Sequence, residues 1–175
     1  MEKQKKNLIK KITPTRLSNI ALYYLKRFET TKAKLRDVLR RRVDAYAYYD
    51  KAFDKTEAYG WIDDLVEKYA QLQYVDDVRF AEFKIRDYLA AGKSYRYILG
   101  KMKEKGVSED IVADLFAREE YNPYEAALKL AKKKKIGPYE PDAQKRKERR
   151  NKDLAVLLRA GFDYDIALKV LDAEF

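Results

Sequence analysis

The sequence predicts an all-α protein made of three tandem three-helix repeats that form an elongated, curved helical solenoid. Almost every segment carries apolar side chains at the 3.6-residue spacing of one buried helix face, and no convincing alternating strand pattern occurs. The chain of 175 residues holds only six Gly and four Pro, too few for the many tight turns of a barrel or sandwich. A helix-turn-helix segment also recurs at constant spacing, which indicates an internal repeat.

The clearest repeat pairs residues 99–116 with residues 154–171, a constant shift of 55 positions. The aligned pairs are Leu99 with Leu154, Met102 with Leu157, Gly106 with Gly161, Val107 with Phe162, Asp110 with Asp165, Ile111 with Ile166, Leu115 with Val170 and Phe116 with Leu171. Two unrelated helix pairs would share the periodicity, but they would not share the glycine and the aspartate that follows it.

The repeats define the predicted domain organisation. A basic N-terminal arm (1–15) precedes a first repeat (16–73) with a Tyr-rich insertion near 44–56, a second repeat (74–120) and a third repeat (121–175) that contains a basic segment (129–152). The third repeat has its own insertion near 136–143, where Gly137, Pro138 and Pro141 interrupt the helix. A unit of about 50 residues has a marginal core alone, so we expect the repeats to pack on one another and to suit an extended polymer as ligand.

Helix starts and stops are predicted from capping residues. The expected N-caps are Ser94, Ser108, Asn122 and Asp163, and the expected helix-ending glycines are Gly92, Gly106 and Gly161.

Composition excludes most catalytic apparatus. The chain contains no Cys and no His, which removes thiolate nucleophiles, Cys-ligated metals, the Ser-His-Asp triad and the HExxH zinc site. We therefore expect no enzyme activity, no metal site and no cofactor. No run of about 18 apolar residues and no apolar signal-peptide core occur, so the expected protein is soluble and cytoplasmic, without membrane contact.

Two segments resemble known ligand-binding motifs, one for phosphate and one for Mg²⁺. Ala91-Gly92-Lys93-Ser94 ends like a phosphate-binding loop, but the required earlier glycine is Asp87 and the preceding residues are predicted as helix. The interpretation we favour is a glycine helix stop followed by a serine cap. The acidic pairs Asp63-Asp64 and Asp76-Asp77 suggest Mg²⁺, but neighbouring helix residues diverge by about 100°, and N-capping explains the second pair.

The net charge of +10 lies on two basic segments. Residues 1–16 hold six basic and one acidic side chain, and residues 129–152 hold eleven basic and three acidic side chains. Phosphate groups or an acidic protein surface are the expected ligands, and a solubilising tail is the alternative. The candidate nucleic-acid-binding residues are Lys132, Lys133, Lys134, Lys135, Lys145, Arg146, Lys147, Arg149, Arg150 and Lys152.

Fifteen tyrosines are an unusual number for this length. Tyr24, Tyr69 and Tyr88 lie on the buried stripes and are expected at the rim of the core. A second group of tyrosines is harder to bury together and is interpreted as interface anchors: Tyr46, Tyr48, Tyr49, Tyr95 and Tyr97. For Tyr46, Tyr48 and Tyr49, simple packing within the insertion is an equal alternative.

Residues 75–107 resemble the signature of the RecX family, regulators of the RecA recombinase. The matching elements are Asp76-Asp77, Arg79-Phe80-Ala81, Gly92-Lys93, Arg96, Ile98 and Lys105-Gly106-Val107. Ala21–Leu25 and Lys34–Arg36 resemble the family's first helix pair, and Leu158–Phe162 resembles its C-terminal element. The chain departs from the family at Arg42, where a glycine often ends the second helix, and in the Tyr-rich insertion.

This resemblance implies a curved protein of three-helix units that binds in the groove of the RecA–DNA filament and inhibits RecA's ATPase, strand-exchange and co-protease activities. The expected partners are therefore the RecA filament and DNA, single-stranded and reached through the filament or by phosphate contacts, with the protein acting as a monomer. Arg79, Arg86, Lys93, Arg96 and Lys101 are the expected RecA contacts. Two alternatives stay open: a general basic helical nucleic-acid-binding module, and a structural scaffold with solubilising tails.

Overall fold

The computed structural model describes residues 10–173, and in that range the chain is helical without any β-strand, as predicted. The helices are α1 (Pro14–Leu25), α2 (Lys32–Tyr49), α3 (Lys55–Gln71), α4 (Asp77–Ala90), α5 (Tyr95–Glu104), α6 (Glu109–Phe116), α7 (Pro123–Lys134), α8 (Ala143–Arg159) and α9 (Tyr164–Leu171), with a short 3₁₀ turn at Gly137–Tyr139. None of the helices in this range combines the length and the apolar composition that a membrane crossing needs.

The basic arm predicted over residues 1–15 includes the start of α1. Residues 1–9 lie outside the described residues. Ile12 is buried in the first core, and Thr13 caps α1 by accepting a hydrogen bond from the Arg16 amide at 3.2 Å. Pro14 then stands at the first helical position, where its missing N–H costs nothing. The last residues of the arm therefore belong to the helical unit.

The chain divides into two compact units, with the boundary after Phe80. In the first unit, α2 packs along α3, and α1 packs against both. Its core contains the apolar stripes that the sequence predicts, with fully buried side chains at Leu17, Leu35, Leu39, Val43, Ile62 and Val66. Burying one such side chain contributes about 1.5–3 kcal/mol, so these stripes fix how the three helices pack.

The Tyr-rich insertion lengthens two helices and adds a short turn between them. α2 has 18 residues and α3 has 17, whereas the matching α5 and α6 have 10 and 8. Arg42 consequently lies inside α2, which continues to Tyr49. Asp54 caps α3 by accepting a hydrogen bond from the Thr56 amide at 2.7 Å.

In the second unit, α5 packs against α6, and α7, α8 and α9 pack on one another. The core of the last three helices contains Ala126, Ala127, Ala131, Ile136, Leu157, Phe162, Ala167 and Val170. The insertion of the third repeat falls where the sequence places it, because the 3₁₀ turn at Gly137–Tyr139 interrupts the chain between α7 and α8. α8 has 17 residues against 10 in α5, and it carries the basic residues of the run 145–152.

Most predicted caps form as expected. Ser94, Ser108 and Asn122 accept hydrogen bonds from the amides of Tyr97, Ile111 and Tyr124 at 3.1, 3.4 and 3.0 Å. Asp163 stands at the N-cap of α9, but its side chain accepts no capping hydrogen bond, so that part of the prediction is wrong. Gly106 and Gly161 end α5 and α8 with φ of 76° and 88°, the left-handed conformation that glycine adopts most readily.

Candidate protein and nucleic-acid contact surfaces

The acidic pair at the start of α4 caps two helices. Asp76 Oδ1 accepts hydrogen bonds from the amides of Val78 and Arg79 at 2.9 and 3.0 Å. Asp77 Oδ1 accepts one from the Lys32 amide at 2.8 Å and so satisfies the first turn of α2. Both carboxylates are thus used in capping.

In the other acidic pair, Asp63-Asp64, the first carboxylate forms ion pairs with arginines. Asp63 forms ion pairs with Arg36 at 2.9 Å and with Arg40 at 3.8 Å. Within residues 10–173, no three acidic, His or Cys side chains come together in a way that would hold a metal ion.

The Gly92-Lys93-Ser94 segment is a helix junction, as the preferred interpretation of the sequence predicts. Gly92 follows α4 with φ of 68°, and a Cβ there would lie 2.8 Å from Lys129 Cβ and 3.1 Å from the Ala126 carbonyl oxygen. Ser94 is buried, caps α5 and donates a hydrogen bond to the Ala160 carbonyl at 2.6 Å. The segment therefore packs the second repeat against α7 and the α8–α9 turn.

Three of the five expected RecA contacts already have acidic partners in the chain. Arg79 lies 3.4 Å from Glu29 in the first unit. In the second unit, Arg86 contacts Glu82 at 2.8 Å and Glu119 at 3.5 Å, and Lys101 contacts Glu104 at 2.8 Å. The hydrogen bond that Lys101 donates to the Glu104 carboxylate raises the pKa of Lys101. These pairs are solvent-exposed, so a partner could exchange them at little cost.

Two of the five expected contacts, Lys93 and Lys101, lie near one tyrosine of α5. Lys93 Nζ lies 4.7 Å and Lys101 Nζ 5.9 Å from the centroid of the Tyr97 ring. Arg96 is exposed and forms no ion pair with any described residue. We call Lys93, Arg96 and Lys101 the α5 cation group; the structure brings Lys93 and Lys101 together at the Tyr97 ring.

The first basic run ends α7. Lys132, Lys133 and Lys134 form its last turn, where positive charge interacts favourably with the helix dipole, and Lys135 is the left-handed cap with φ of 53°. All four side chains are exposed, and none forms an ion pair within the described part of the chain.

The second basic run forms the first half of α8. Residues 143–149 are exposed on every side of the helix. Three cations have acidic partners: Lys145 with Asp142 at 3.9 Å, Arg149 with Asp153 at 3.6 Å and Arg150 with Asp172 at 2.6 Å. Three others, namely Arg146, Lys147 and Lys152, form no ion pair with a described residue. We call these three the α8 cation group.

The tyrosines separate into packed and exposed members. Tyr46 is buried and meets Phe53 edge-on at 4.9 Å. Tyr48 and Tyr49 stay exposed at 81% and 62%, as interface anchors would be. Tyr95 packs edge-on against Phe116 at 4.6 Å, and its amide donates to the Tyr121 hydroxyl at 3.1 Å. Tyr97 packs against Tyr88 at 5.7 Å.

Sequence reasoning missed one buried charge, Asp153 in α8. It is 2% exposed, and at the shift of 55 it aligns with Ile98, a fully buried core residue. Its Oδ2 lies 3.5 Å from the Gly137 amide, and its Oδ1 has no hydrogen-bond partner among the described residues. An acidic residue at an apolar position of the repeat was the signal that could have identified it.

Comparison with known proteins gives one consistent family. Residues 76–115 match the family model described as RecX, second three-helix domain. The chain is 39% identical to Regulatory protein RecX of Myxococcus xanthus over 94% of this chain and 89% of that protein, and 32% identical to Regulatory protein RecX of Agrobacterium fabrum over 87% and 80%. These relatives carry the name of a regulatory protein and not that of an enzyme.

The fold agrees with a solved structure. The crystal structure of RecX from Lactobacillus salivarius superposes with a TM-score of 0.66 at 24% identity, covering 91% of this chain and 96% of that one. From the extent and identity of the sequence matches, the chain belongs to the RecX family.

Proposed function

We propose that this protein regulates the RecA recombinase by binding the RecA–DNA filament and inhibiting its ATPase, strand-exchange and co-protease activities, without chemistry of its own. Membership of the RecX family carries the proposal, since the matched relatives are regulatory proteins. The three helix trios α1–α3, α4–α6 and α7–α9 support the predicted division into repeats over 16–73, 74–120 and 121–175, which we retain as part of the proposal.

In this proposal the α5 cation group contacts RecA, together with Arg79 and Arg86. Arg and Tyr are enriched at protein interfaces, and here the exposed Arg96 and the partly buried Tyr97 lie next to each other in α5, with Lys93 and Lys101 beside the tyrosine ring. Arg79, Arg86 and Lys101 form solvent-exposed ion pairs with carboxylates of the chain itself. An acidic surface on the filament would take over these pairs.

The basic runs at 132–135 and 145–152 contact DNA phosphates in the same proposal. The four lysines after Ala131 and the α8 cation group have no internal counter-charge among the described residues, so binding to phosphate does not require any existing ion pair to break. Each phosphate neutralised on single-stranded DNA steepens the log–log salt dependence by about 0.7.

The direct test is a titration of this protein into RecA filaments on single-stranded DNA, with ATP hydrolysis as the readout. Turnover should fall as the protein approaches stoichiometric ratios. ATP turnover that stays constant at saturating protein would overturn the proposal.

A charge-matched pair of variants separates the DNA contacts from general electrostatics. R146Q/K147Q/K152Q removes the α8 cation group, and K55Q/K84Q/K103Q removes three cations that are paired with Asp44, Asp87 and Glu109. Inhibition should weaken and become less salt-dependent only in the first variant. Equal effects of both variants would contradict a role for the α8 group.

The second candidate is a general nucleic-acid-binding module, which the unpaired basic runs favour. It predicts tight binding to DNA without RecA, and loss of all function when both runs are neutralised. RecA inhibition that persists in that neutralised variant would exclude it.

A further inference from the structure

A groove in the first unit lies along α1 and reaches α2. Four of its lining residues, Arg16, Asn19, Ile20 and Tyr23, form one face of α1 at the i, i+3, i+4, i+7 spacing, and Arg42 of α2 lines it as well. It is an open groove of about 540 Å³. None of these residues belongs to the basic runs or to the expected RecA contacts.

The groove is positively charged without internal compensation. Its lining contains two guanidinium groups and no carboxylate, and neither Arg16 nor Arg42 forms an ion pair with a described residue. The groove beside α8, by contrast, contains Asp153 and Asp172, and the one beside Asn122 contains three glutamates. Uncompensated positive charge in a concave surface favours an anionic ligand.

Arg16 has a guanidinium nitrogen without a hydrogen-bond partner in residues 10–173. Its Nε is buried and has no hydrogen-bond acceptor among the described residues. A half-buried guanidinium loses hydration, and its delocalised charge can be balanced by an anion bound at the outer nitrogens. The side chain is thus held at the groove with part of its donor capacity unused.

Tyr23 adds an aromatic surface next to these cations. Its side chain is 59% exposed, and the Arg27 guanidinium lies 4.1 Å from the ring centroid. The stacked arginine restrains the ring and brings a third cation to the same region. Alternation of cations with an exposed aromatic ring is the pattern of single-stranded nucleic-acid surfaces, where bases stack and phosphates are neutralised.

Arg42 lines the groove because α2 continues past it. In the second repeat, Gly106 stands at the aligned position, directly before the buried Val107, and ends α5. The extension of α2 through Tyr49 places Arg42 in regular helix, directly before the buried Val43. The longer helix therefore supplies one side of the groove.

We propose that this groove binds single-stranded nucleic acid, with Arg16 and Arg42 on backbone phosphates and a base stacked on Tyr23. The site goes beyond the proposed function, which places DNA only on residues 132–152, and it does not depend on RecA. Residues 1–9 of the chain carry three lysines and one glutamate, so their charge does not complement the groove. An acidic peptide would pair with the arginines but would leave the flat face of Tyr23 without a specific role.

The test measures binding of a fluorescein-labelled oligo(dT) by anisotropy, without RecA, in protein whose lysines and arginines at 132–135 and 145–152 have been changed to glutamine. R16Q/R42Q should weaken binding about tenfold or more and reduce the log–log salt slope by about 1.4. Y23L, which keeps apolar area but removes the ring, should weaken binding about tenfold with an unchanged salt slope. The matched control is R41Q/R118Q, two exposed arginines outside the groove, which should have a smaller effect.

Since Arg16 is partly buried, R42Q alone repeats the test at an exposed position, with thermal melting to verify the fold. Equal weakening by R16Q/R42Q and R41Q/R118Q would overturn the proposal. The proposal would also be overturned if an oligo-glutamate peptide bound the wild-type protein and lost its binding in R42Q, while R42Q left oligo(dT) binding unchanged. RecA inhibition is measured in a separate assay, so absence of nucleic-acid binding at this groove would not contradict the proposed function.

Discussion

The Ser94 hydroxyl donates a hydrogen bond to the Ala160 carbonyl, 66 residues further along the chain, at 2.6 Å. The same oxygen accepts the capping hydrogen bond from the Tyr97 amide. The contact is possible because the next residue, Gly161, has no side chain: a Cβ there would lie 2.6 Å from Ser94 Oγ. One serine thus starts α5 and fixes the turn between α8 and α9.

Gly161→Ala should therefore destabilise the protein. The φ of 88° disfavours any residue with a Cβ by about 1–2 kcal/mol, and the clash with Ser94 adds to it. At about 2–4 °C per kcal/mol for a protein of this size, the melting temperature should fall by several degrees.

Gly100→Ala is the matched control for this change. Gly100 lies inside α5, and a Cβ there would meet no atom within 4 Å. Alanine should stabilise the helix by about 0.5–1 kcal/mol. If both variants shift the melting temperature in the same direction, the inferred role of Gly161 is wrong.

The sequence predicted the helices, the repeat and most caps because these depend on local signals. Apolar spacing, glycine stops and serine caps act within one or two turns. The length of α2 was not predicted, because an alignment shift gives the size of an insertion and not its conformation. The groove at Arg16 and Arg42 was not predicted either, since it depends on which faces of α1 and α2 meet.

The insertion should contribute to stability through Tyr46 and not through Tyr49. Tyr46 is 7% exposed, packs against Phe53 and donates a hydrogen bond to Asp50 at 3.1 Å. Tyr46→Ala should cost about 3 kcal/mol or more, as for other buried aromatic residues. Tyr49→Ala, at an exposed position, should cost less than about 0.5 kcal/mol. Urea denaturation measures both, and equal costs would contradict the assignment.

A pH-dependent pair joins Asp44, in the insertion, to Tyr59 of α3. The Tyr59 hydroxyl donates to Asp44 Oδ1 at 2.5 Å, which holds the pKa of Asp44 below its ordinary value of 3.8 and raises the pKa of Tyr59 above 10.0. Asp44 therefore stabilises the fold above its ordinary pKa and loses this contribution as pH falls through the lowered value. Tyr59 loses its contribution as pH rises through the raised value.

Asp44→Asn should remove this bell-shaped contribution. Its melting temperature should approach that of the wild type at both pH extremes and lie below it at neutral pH. Tyr59→Phe, which removes the donor, should reproduce the effect. If the melting temperatures of the variants differed from that of the wild type by the same amount at every pH, the pair would add no pH-dependent stability.

Asp153 is a buried acidic residue at a repeat position that is apolar in the second repeat. It replaces the buried Ile98 of the second repeat. In the third repeat the inserted 3₁₀ turn brings the buried Gly137 amide to it, and Arg149 lies one helical turn before it in α8. A buried carboxylate is costly unless it serves such groups. Asp153→Ala should cost about 1–3 kcal/mol, because the Gly137 amide loses its acceptor. Asp153→Asn keeps an amide oxygen and should cost less. Asp153→Ile restores the residue of the second repeat. If urea denaturation gave this variant a larger free energy of unfolding than the wild type, the carboxylate would destabilise the protein. The 3₁₀ turn would then be held by packing of Gly137 against Leu171 alone.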